Sequence, residues 1–260
     1  MEHTPSPLVS IITVTFNAKA LLETTIQSVL EQTYPEIEYI VVDGKSSDGT
    51  LAIIQQYASQ IQKWVSEPDK GIYDAMNKGL ALARGEYVWF MNAGDTLFAP
   101  DTLAKVMAQN PNADILYGEA LYTDAEGNPL GLRSEVMPHQ LPENLRWQDF
   151  AYGMVVCHQA ILVRRAIAPV YNLKHHYSGD IDWIIRALKA SHSVHPTHQI
   201  LTIFRQGGFS SRYLFRSWID RAFILHQHFG LWPNLLHHAY ILYRGLKRKF
   251  WKKAIKKTKN

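Results

Sequence analysis

The chain has 260 residues, of which 47% are hydrophobic and 19% are charged, and its formal net charge is +4. This composition is that of an ordinary soluble protein with enough apolar residues for one large domain, alone or with an appendage. The single cysteine, Cys157, excludes a disulfide framework and a cysteine-rich zinc site and fits a reducing cytoplasm.

The N-terminal region begins with a strand rather than an export signal. No basic region precedes the apolar residues Leu8 to Phe16, and no run reaches the roughly 18 apolar residues of a spanning helix. Ser10 to Thr15 is the first predicted strand, and Asn17 is placed to cap the helix that follows. The inward stripe of that helix contains Leu22, Ile26, Val29 and Leu30.

No phosphate-binding glycine motif follows this first strand. The residues after it are Thr15-Phe16-Asn17-Ala18-Lys19, which match neither GxGxxG nor GxxxxGK[ST]. This pattern argues against a dinucleotide enzyme and against a P-loop nucleotidase.

Further strand and helix units follow in alternation. Ile37 to Val42 is a predicted strand, and the polar turn 43–49 leads into a helix through Leu51 and Ile61. Trp64-Val65 is predicted as a third strand. Repeated strand–helix units are typical of a parallel, doubly wound sheet.

The segment from Glu67 to Asp95 contains a polar loop, an amphipathic helix and a buried strand. Its sequence is EPDKGIYDAMNKGLALARGEYVWFMNAGD. A helix is predicted from the spacing of Ile72, Met76, Gly79, Leu80 and Ala83, with Gly85 as its C-terminal breaker. Tyr87 to Met91 is a short apolar strand, and Asn92 to Asp95 turns out of its carboxyl end, where open α/β sheets bind ligands.

Polar side chains follow several of these strands. Thr13, Thr15 and Asn17 belong to the end of the first strand, Asp43 follows the second, and Asp95 follows the strand at Tyr87 to Met91. Because the carboxyl ends of parallel strands lie on one edge, these groups are expected to converge there.

The second half has a mixed pattern. Asp114 to Tyr117 is a predicted strand, and Ala120 to Leu132 is a predicted hairpin that turns at 124–128. Two more strands are predicted at Val155–Val163 and Val194–Phe204. Helices are predicted from about Ile181 to Ala190 and from Tyr213 to His228.

The positive charge of the chain is concentrated in residues 244–260, which contain nine Lys/Arg and no acid, so the rest carries −5. On one helical face lie Leu246, Phe250, Trp251, Ala254 and Ile255, with basic residues around the rest. A basic amphipathic helix favours an anionic membrane surface, the alternative being a frayed, solvated terminus. Nucleic-acid binding is not expected, because nothing upstream resembles a reading module.

Three pieces of the chain, in this order and spacing, resemble the family 2 glycosyltransferases. The first runs VSIITVTFNAKALLETTIQSVLEQTYPEIEYIVVDGKSSDGT, the second is the Glu67–Asp95 segment, and the third is HHYSGDIDWIIRAL. The NAGD ending and the Cys157-His158-Gln159 segment look most similar to bacterial enzymes that build exopolysaccharide, colanic-acid-like or lipopolysaccharide chains.

The resemblance implies an α/β fold of the GT-A type. The expected architecture is a Rossmann-like, mostly parallel central sheet flanked by helices, with a helical, basic C-terminal tail. Residues 1–210 would be the catalytic domain, with a nucleotide-sugar half at about 7–117 and an acceptor half at about 118–210. Residues 211–260 would be the helical C-terminal region.

The resemblance also assigns a donor site. Asp43 would accept a hydrogen bond from the nucleotide base, although Gly44 replaces the second acid usual beside it. The other residues implied for nucleotide-sugar binding are Thr13, Thr15, Phe16, Asn17, Asp69, Asn77 and Asn92. Because Met76 stands where many relatives carry arginine, Lys70 or Lys78 would neutralise part of the diphosphate charge, or would simply be solvated. A UDP-sugar is favoured and a GDP-sugar is possible.

Asp95 is the candidate metal ligand. It matches the last acid of the family's DxD-like motif, whose other positions here are Asn92 and Gly94. Mg²⁺ or Mn²⁺ takes hard oxygen ligands and needs only one or two protein carboxylates, with phosphates and waters completing its shell. The alternative role for Asp95 is a turn or helix N-cap aspartate ahead of the helix at Pro100–Met107.

Asp180 is the candidate general base. It matches the second residue of the family's Glu-Asp motif, which is written here as Gly179-Asp180. An inverting transfer needs a base to take the proton of the acceptor hydroxyl. Asp182 is the second choice, since residues two apart point to different helix faces, and Asp180 could also simply favour the helix dipole.

The expected function is a metal-dependent, inverting transfer of a sugar from a nucleotide donor to a lipid-linked or polysaccharide acceptor. The enzyme would be attached peripherally to the cytoplasmic face of the cell membrane through residues 244–260. The alternatives are a sugar nucleotidyltransferase of related fold and an inactive glycan- or lipid-binding module. The Arg205–Ser210 segment resembles a mobile loop that closes on the diphosphate, or is a surface turn.

Overall fold

The computed structural model of the chain describes residues 6–208 and 213–233. Its strands are β1 Val9–Thr15, β2 Ile37–Asp43, β3 Lys63–Ser66, β4 Tyr87–Phe90, β5 Thr96–Leu97, β6 Ile115–Thr123, β7 Pro129–Leu132, β8 Ile161–Arg164 and β9 Val194–Arg205. Its helices are α1 Lys19–Leu30, α2 Thr50–Gln56, α3 Ile72–Leu82, α4 Thr102–Gln109, α5 Arg133–Val136, α6 Gly179–Ala190 and α7 Leu214–Phe229. In these described ranges no helix is both long and apolar enough to traverse a bilayer.

The described strands form one mixed sheet in the order β3-β2-β1-β4-β8-β6-β9-β5, with β7 paired to β6. The pairings of β1 with β2, β1 with β4, β2 with β3 and β6 with β9 are parallel. Strand β8 lies between β4 and β6 and runs antiparallel to both. The α/β fold class predicted from the sequence is confirmed, and of the eight strand pairings in the described residues four are parallel and four antiparallel.

Both faces of the sheet are buried. Ile12 and Val88 belong to the core on the face that α3 and α6 cover, and Ile11 and Trp89 belong to the core on the face of α1 and α4. Successive strand residues point to opposite faces, so a strand covered on both sides is mostly apolar. This explains the apolar run of β4 and the mostly apolar sequence of β1, in which the buried hydroxyls of Ser10 and Thr13 have hydrogen-bond partners in β2.

Several sequence-based element boundaries are corrected. The helix predicted to reach Ile61 ends at Gln56, because β3 begins at Lys63 and the chain must first reverse direction. Helix α3 ends at Leu82, where Ala83 becomes extended, so Gly85 does not cap it. Only Ile161 to Arg164 pairs as a strand in the segment predicted from Val155, and a 3₁₀ turn, His158–Ala160, precedes it.

Asn17 does not cap α1. The residue before the helix is Ala18, and Asn17 itself has a left-handed backbone (φ 48°). Its side-chain oxygen accepts a hydrogen bond from the Ser47 N–H at 2.9 Å. Asp48 caps the exposed first turn of α1 instead, because its carboxylate accepts a hydrogen bond from the Lys19 N–H at 3.0 Å. A loop distant in sequence therefore supplies the capping group.

The predicted C-terminal elements are present in part. Helix α7 corresponds to the helix predicted at Tyr213–His228, while the basic tail 244–260 lies outside the described residues. Strand β6 spans the proposed division near residue 117, and the proposed domain limits stay predictions.

Candidate active site

The carboxyl ends of β1, β2 and β4 meet at one edge of the sheet. Thr15 and Asp43 are register partners in the parallel pair of β1 and β2. The Ala93 N–H, just beyond β4, donates to the Val14 carbonyl at 3.2 Å. The polar residues that follow these strands are therefore neighbours, at the edge where open α/β sheets bind ligands. We call this region the donor edge.

Asp43 is fully buried at the donor edge, and serines hold its carboxylate. Its Oδ1 accepts a hydrogen bond from Ser46 Oγ at 2.5 Å, and its Oδ2 accepts one from Ser66 Oγ at 2.6 Å and one from the Ser46 N–H at 3.0 Å. These bonds fix the carboxylate in one orientation. Its contact with a nucleotide base stays a prediction, and sequence reasoning missed both serines that orient it.

Two buried oxygens at the donor edge have no hydrogen-bond partner in the described structure. They are Thr15 Oγ1 at the end of β1 and Asn92 Oδ1 just after β4. An unpaired buried polar atom costs about 1–3 kcal/mol. Such atoms are rare in folded proteins and often mark a place where a ligand, water or ion binds. Thr13, by contrast, is fully buried within β1, and its hydroxyl lies 3.1 Å from the Tyr39 hydroxyl.

Gly44, Phe16 and Asp69 lie against one another beside Asp43. A Cβ atom on Gly44 would lie only 2.3 Å from Asp69 Oδ2 and 3.3 Å from Phe16 Cδ2. Asp69 is further held by the Gly71 N–H, which donates to Oδ1 at 2.8 Å. The close approach explains why glycine stands where relatives often carry a second acid. The Phe16 ring is 64% exposed, which leaves a flat aromatic surface beside Asp43.

Asn77 lies apart from this group. Both ends of its amide bind the backbone of Tyr171, with Nδ2 donating to the carbonyl at 3.0 Å and Oδ1 accepting the N–H at 2.6 Å. These two hydrogen bonds attach the loop that contains Tyr171 to α3. Its predicted place near the donor sugar is not tested by these contacts and stays a prediction.

Asp95 is almost completely buried, at 5% exposure. Its Oδ1 accepts the Arg205 N–H at 3.0 Å, and its backbone carbonyl accepts the Thr25 hydroxyl at 2.8 Å. Burial raises the pKa of its carboxyl to about 8, which the Arg205 hydrogen bond only partly opposes. It is not the N-cap of the next helix, because Asp101 precedes α4.

The side chains at the donor edge suit a hard cation better than a soft one. Asp95 offers a carboxylate, and Asn92 and Thr15 offer neutral oxygens without donors. Within the ranges described, no three His, Cys, Asp or Glu residues are grouped to hold a metal ion by themselves. Mg²⁺ and Mn²⁺ sites of the kind that substrate phosphates complete need only such a partial set. The residues present therefore fit a divalent cation that shares its ligands with a diphosphate.

Asp180 lies in the first turn of α6, beside Tyr73 of α3. Its Oδ1 accepts the Ile181 N–H at 3.0 Å and lies 3.4 Å from the Tyr73 hydroxyl. Burial raises the pKa of its carboxyl to about 6, against the opposing effect of these donors. A carboxyl with such a pKa is suited to take a proton near neutral pH.

Gly179, which stands where the resembled motif has glutamate, lies close to Tyr73. A Cβ atom there would lie 3.0–3.2 Å from carbons of the Tyr73 ring, so a larger residue would require the ring to shift by a few tenths of an ångström. Tyr73 is also the residue that contacts Asp180. Sequence reasoning missed Tyr73, since the two residues are 107 positions apart.

The other acids around α6 are fully engaged in ion pairs. Asp182 is buried and accepts hydrogen bonds from Arg186 Nε and His228 Nε2, each at 2.8 Å. Burial tends to raise its pKa, but the hydrogen bonds from His228 and Arg186 outweigh this and hold it below the usual range. Asp220 of α7 likewise binds His175 at 2.8 Å. These pairs fasten α7 to the start of α6.

An aromatic cluster packs against Tyr73, the residue that contacts Asp180. Tyr171 stacks on Tyr73 with ring centroids 5.4 Å apart and on Trp183 at 5.3 Å. His158 Nε2 lies 2.7 Å from the Tyr171 hydroxyl, and burial lowers the pKa of this histidine to about 4. His158 is therefore a neutral core residue rather than an acid. Cys157 beside it is buried, and burial raises the pKa of its thiol to about 12.

Comparison with known sequences gives consistent matches. The sequence profile described as Glycosyl transferase family 2 matches residues 10–170. A relative from Mycobacterium bovis (strain BCG / Pasteur 1173P2), described as a PGL/p-HBAD biosynthesis glycosyltransferase, is 34% identical over 197 residues, which cover 70% of this chain and 70% of the relative.

Comparison with solved structures shows the same fold. Staphylococcus aureus TarS 1-349 in complex with UDP is 18% identical with a TM-score of 0.64, and the match covers 84% of this chain and 65% of that one. The mannosyltransferase PcManGT from Pyrobaculum calidifontis in complex with GDP-Man and Mn²⁺ is 21% identical with a TM-score of 0.61, covering 92% and 70%. This chain thus spans slightly less than two thirds of the TarS fragment.

Proposed function

This chain belongs to the family 2 glycosyltransferases, and we propose that it is an inverting, metal-dependent enzyme of bacterial surface-glycan synthesis. It moves a sugar from a nucleoside diphosphate donor to a lipid-linked or polysaccharide acceptor. The observation that carries the proposal is a site with two parts. Unpartnered buried oxygens lie at the donor edge, and the carboxyl group of Asp180 lies beside Tyr73, in the first turn of α3, with its pKa raised to about 6.

The donor binds along the ends of β1, β2 and β4. Asp43, fixed by its serines, accepts an N–H of the base, and the exposed Phe16 ring provides a stacking surface next to it. Asp69, held against Gly44, contacts the sugar or ribose hydroxyls. A UDP-sugar is favoured and a GDP-sugar is the second choice, since structures of similar fold hold UDP and GDP-Man.

The donor's diphosphate needs positive charge, because the leaving group gains negative charge as the sugar departs. A divalent cation supplies this when bound, and Asp95 with Asn92 would hold it together with the phosphates. The solved structure of PcManGT is a complex with GDP-Man and Mn²⁺, which supports this choice.

Asp180 takes the proton of the acceptor hydroxyl while the hydroxyl oxygen attacks the anomeric carbon. The new carbon–oxygen bond forms as the bond from that carbon to the phosphate oxygen breaks, and the electron pair leaves with the nucleoside diphosphate. Attack from the face opposite to the leaving group inverts the anomeric centre. Tyr73 holds the base in place through its hydroxyl.

Donor hydrolysis tests the proposal without knowledge of the acceptor. The purified chain is incubated with UDP- and GDP-sugars and Mn²⁺, Mg²⁺ or EDTA, and the release of nucleoside diphosphate is measured. Slow, metal-stimulated release is expected. Proton NMR of the first sugar formed should show the anomer opposite to that of the donor; the retained anomer would rule out direct inversion.

Two competing functions give different results in the same assay. With pyrophosphate added, a sugar nucleotidyltransferase would convert the nucleoside diphosphate sugar into nucleoside triphosphate and sugar 1-phosphate and would release no nucleoside diphosphate. A binding module would retain the donor without turnover. The raised pKa of the Asp180 carboxyl favours the transferase over both competitors, because a general base is expected to have such a pKa.

We also propose that the enzyme lies on the cytoplasmic face of the cell membrane. Helix α7 supports this placement by exposing large apolar side chains, including Phe215 at 73% and Phe223 at 61%. Exposed apolar faces of this kind often mark sites of membrane or protein contact. The basic residues of 244–260 would add attraction to anionic lipids. Deletion of 244–260 should weaken flotation with anionic liposomes, and undiminished flotation would remove the tail from this role.

A further inference from the structure

A cavity of about 290 Å³ lies between the start of α3, the loop before α6 and the start of α7. Its walls include Lys70 and Tyr73 from the first element, Tyr177 from the second, and Tyr213 and Arg216 from the third. The donor-edge residues Asp43 and Asp95 are not part of it. The cavity adjoins the proposed donor site through Lys70 and Gly71, which follow Asp69, and it extends from there toward α6 and α7.

The cavity is on the side of the candidate base. Its wall residue Tyr73 places its hydroxyl 3.4 Å from Asp180 Oδ1. Tyr177 lies three residues ahead of Asp180, and its N–H donates to Asp220 at 2.8 Å, which fixes the loop against α7. A molecule in this cavity would therefore lie next to the group that takes the acceptor's proton.

The lining combines aromatic rings with positive charge. Arg216 Nη1 donates to the Tyr177 hydroxyl at 3.0 Å, and its guanidinium lies 6.0 Å from the Tyr177 ring centroid and 5.9 Å from that of Tyr213. The planar guanidinium retains further N–H donors suited to two oxygens of one anion. Lys70 forms no ion pair with any residue in the described structure.

Asp74 is the one acid of the cavity lining in the described structure, and its carboxylate is already engaged. Its Oδ2 accepts the Lys70 N–H at 3.0 Å and lies 3.9 Å from Lys78 Nζ. The positive groups of the lining are therefore not neutralised by it. Aromatic walls of this kind also suit the apolar face of a sugar ring.

We propose that this cavity binds a phosphate ester group of the acceptor and thereby directs the acceptor's hydroxyl toward Asp180. Arg216 is the specificity-determining residue, and the three tyrosines pack against the neighbouring sugar. The inference rests on the proposed function, since it names the chemical class of the acceptor. The phosphate could come from a lipid carrier or from a polymer backbone. Leu214 and Phe215, each 73% exposed beside Arg216, would suit the chain of a lipid carrier.

Calorimetry with the full chain tests the proposal. The phosphate probes are farnesyl diphosphate and glycerol 3-phosphate, and farnesol and glycerol are their uncharged counterparts. The phosphate probes should bind and the uncharged ones should not. Tighter binding of farnesyl diphosphate supports a lipid source, and comparable binding of both supports a polymer source. Equal binding of charged and uncharged probes would overturn the inference.

Substitution locates the binding. Because a hydrogen bond to a charged group contributes about 1.5–3 kcal/mol, Arg216→Ala should weaken phosphate binding at least about tenfold, and Arg216→Lys by less. Arg216 is exposed, so the variant should fold. The matched control is Lys105→Ala, which removes an exposed cation of α4 paired with Asp101. Unchanged affinity in Arg216→Ala would place any phosphate binding elsewhere, for example at the donor edge, and overturn the inference.

Donor hydrolysis by the wild-type chain is measured separately, so the two proposals can fail independently. Hydrolysis without Arg216-dependent phosphate binding would reject the cavity and keep the transferase mechanism. Arg216-dependent binding without hydrolysis of any donor would keep the anion site and reject the mechanism.

Discussion

The donor edge and the region around α6 differ in how their buried acids are paired. At the donor edge, Thr15 and Asn92 keep buried oxygens without partners, and Asp95 is buried with its pKa raised to about 8. Around α6, Asp182 and Asp220 are engaged by basic side chains. We propose that a ligand completes the first region. In the second, the carboxylates of Asp182 and Asp220 are paired with basic side chains and that of Asp180 is not, although Ser217 Oγ nearby is also a buried atom without a hydrogen-bond partner.

The largest expected effect comes from Asp180→Asn. Loss of a general base should lower the turnover number by about 10²- to 10⁴-fold, while donor affinity should change little because Asp180 does not lie at the donor edge. Turnover is measured as nucleoside diphosphate release and donor affinity by calorimetry. Asp101→Asn, an exposed acid before α4, is the control and should behave as the wild type. Unimpaired turnover in Asp180→Asn would remove this residue from the mechanism.

Asp182→Asn should produce the reverse pattern. It removes the charge that faces Arg186 and His228, so the free energy of unfolding should fall by about 2–3 kcal/mol, less than for a fully buried pair because Arg186 is partly exposed. Urea denaturation measures the loss. Turnover per folded molecule should stay close to that of the wild type. If a folded Asp182→Asn protein were inactive, Asp182 rather than Asp180 would be the base.

Asp95→Asn tests whether the donor edge binds a divalent cation. The amide keeps an oxygen for the Arg205 N–H but loses the negative charge, so the stability of the metal-free protein should be preserved. The gain in donor affinity caused by Mn²⁺ should shrink at least about tenfold, as expected when a metal site is disturbed. Calorimetric titration of UDP and GDP in Mn²⁺ and in EDTA measures nucleotide affinity with and without the metal. A metal response equal to that of the wild type would show that the cation binds elsewhere.

The two regions also differ in how much of their structure could be predicted from the sequence. The donor edge follows from apolar runs, helical spacing and the parallel order of β1, β2 and β4, all of which are local signals. The placement of β8 between β4 and β6 could not be predicted, because it depends on the path by which the second half of the chain comes back to the sheet. The strand–helix alternation of the first half does not indicate which strands will be neighbours in the second half.

The side-chain partners were the least predictable part of the site. Asp43 is oriented by Ser66, Asn77 binds the Tyr171 backbone, and Asp180 contacts Tyr73. Each pair is distant in sequence and joins elements that meet only in the folded sheet. The residue types could be named in advance, but their hydrogen-bond partners depend on tertiary packing. The close packing of Gly179 against the Tyr73 ring shows the same limit.

The smallest expected effect concerns the pH dependence of donor hydrolysis. Burial raises the pKa of Asp180 to about 6, and the negative charge of Asp220 adds to this, while the Tyr73 hydroxyl opposes it. The base works only when deprotonated, so the turnover number of the wild type should fall as pH drops through about 6.

Tyr73→Phe should move this acidic limb to higher pH. The variant removes the donor that favours the charged carboxylate and leaves burial and Asp220 in place, so the pKa of Asp180 must rise. The contact is long at 3.4 Å, so the displacement should be only about half a pH unit, the size of a weak hydrogen bond. Turnover numbers measured with one donor over a series of pH values give this displacement. A limb that stays in place, or moves to lower pH, would mean that Tyr73 packs beside the base without stabilising its ionised form.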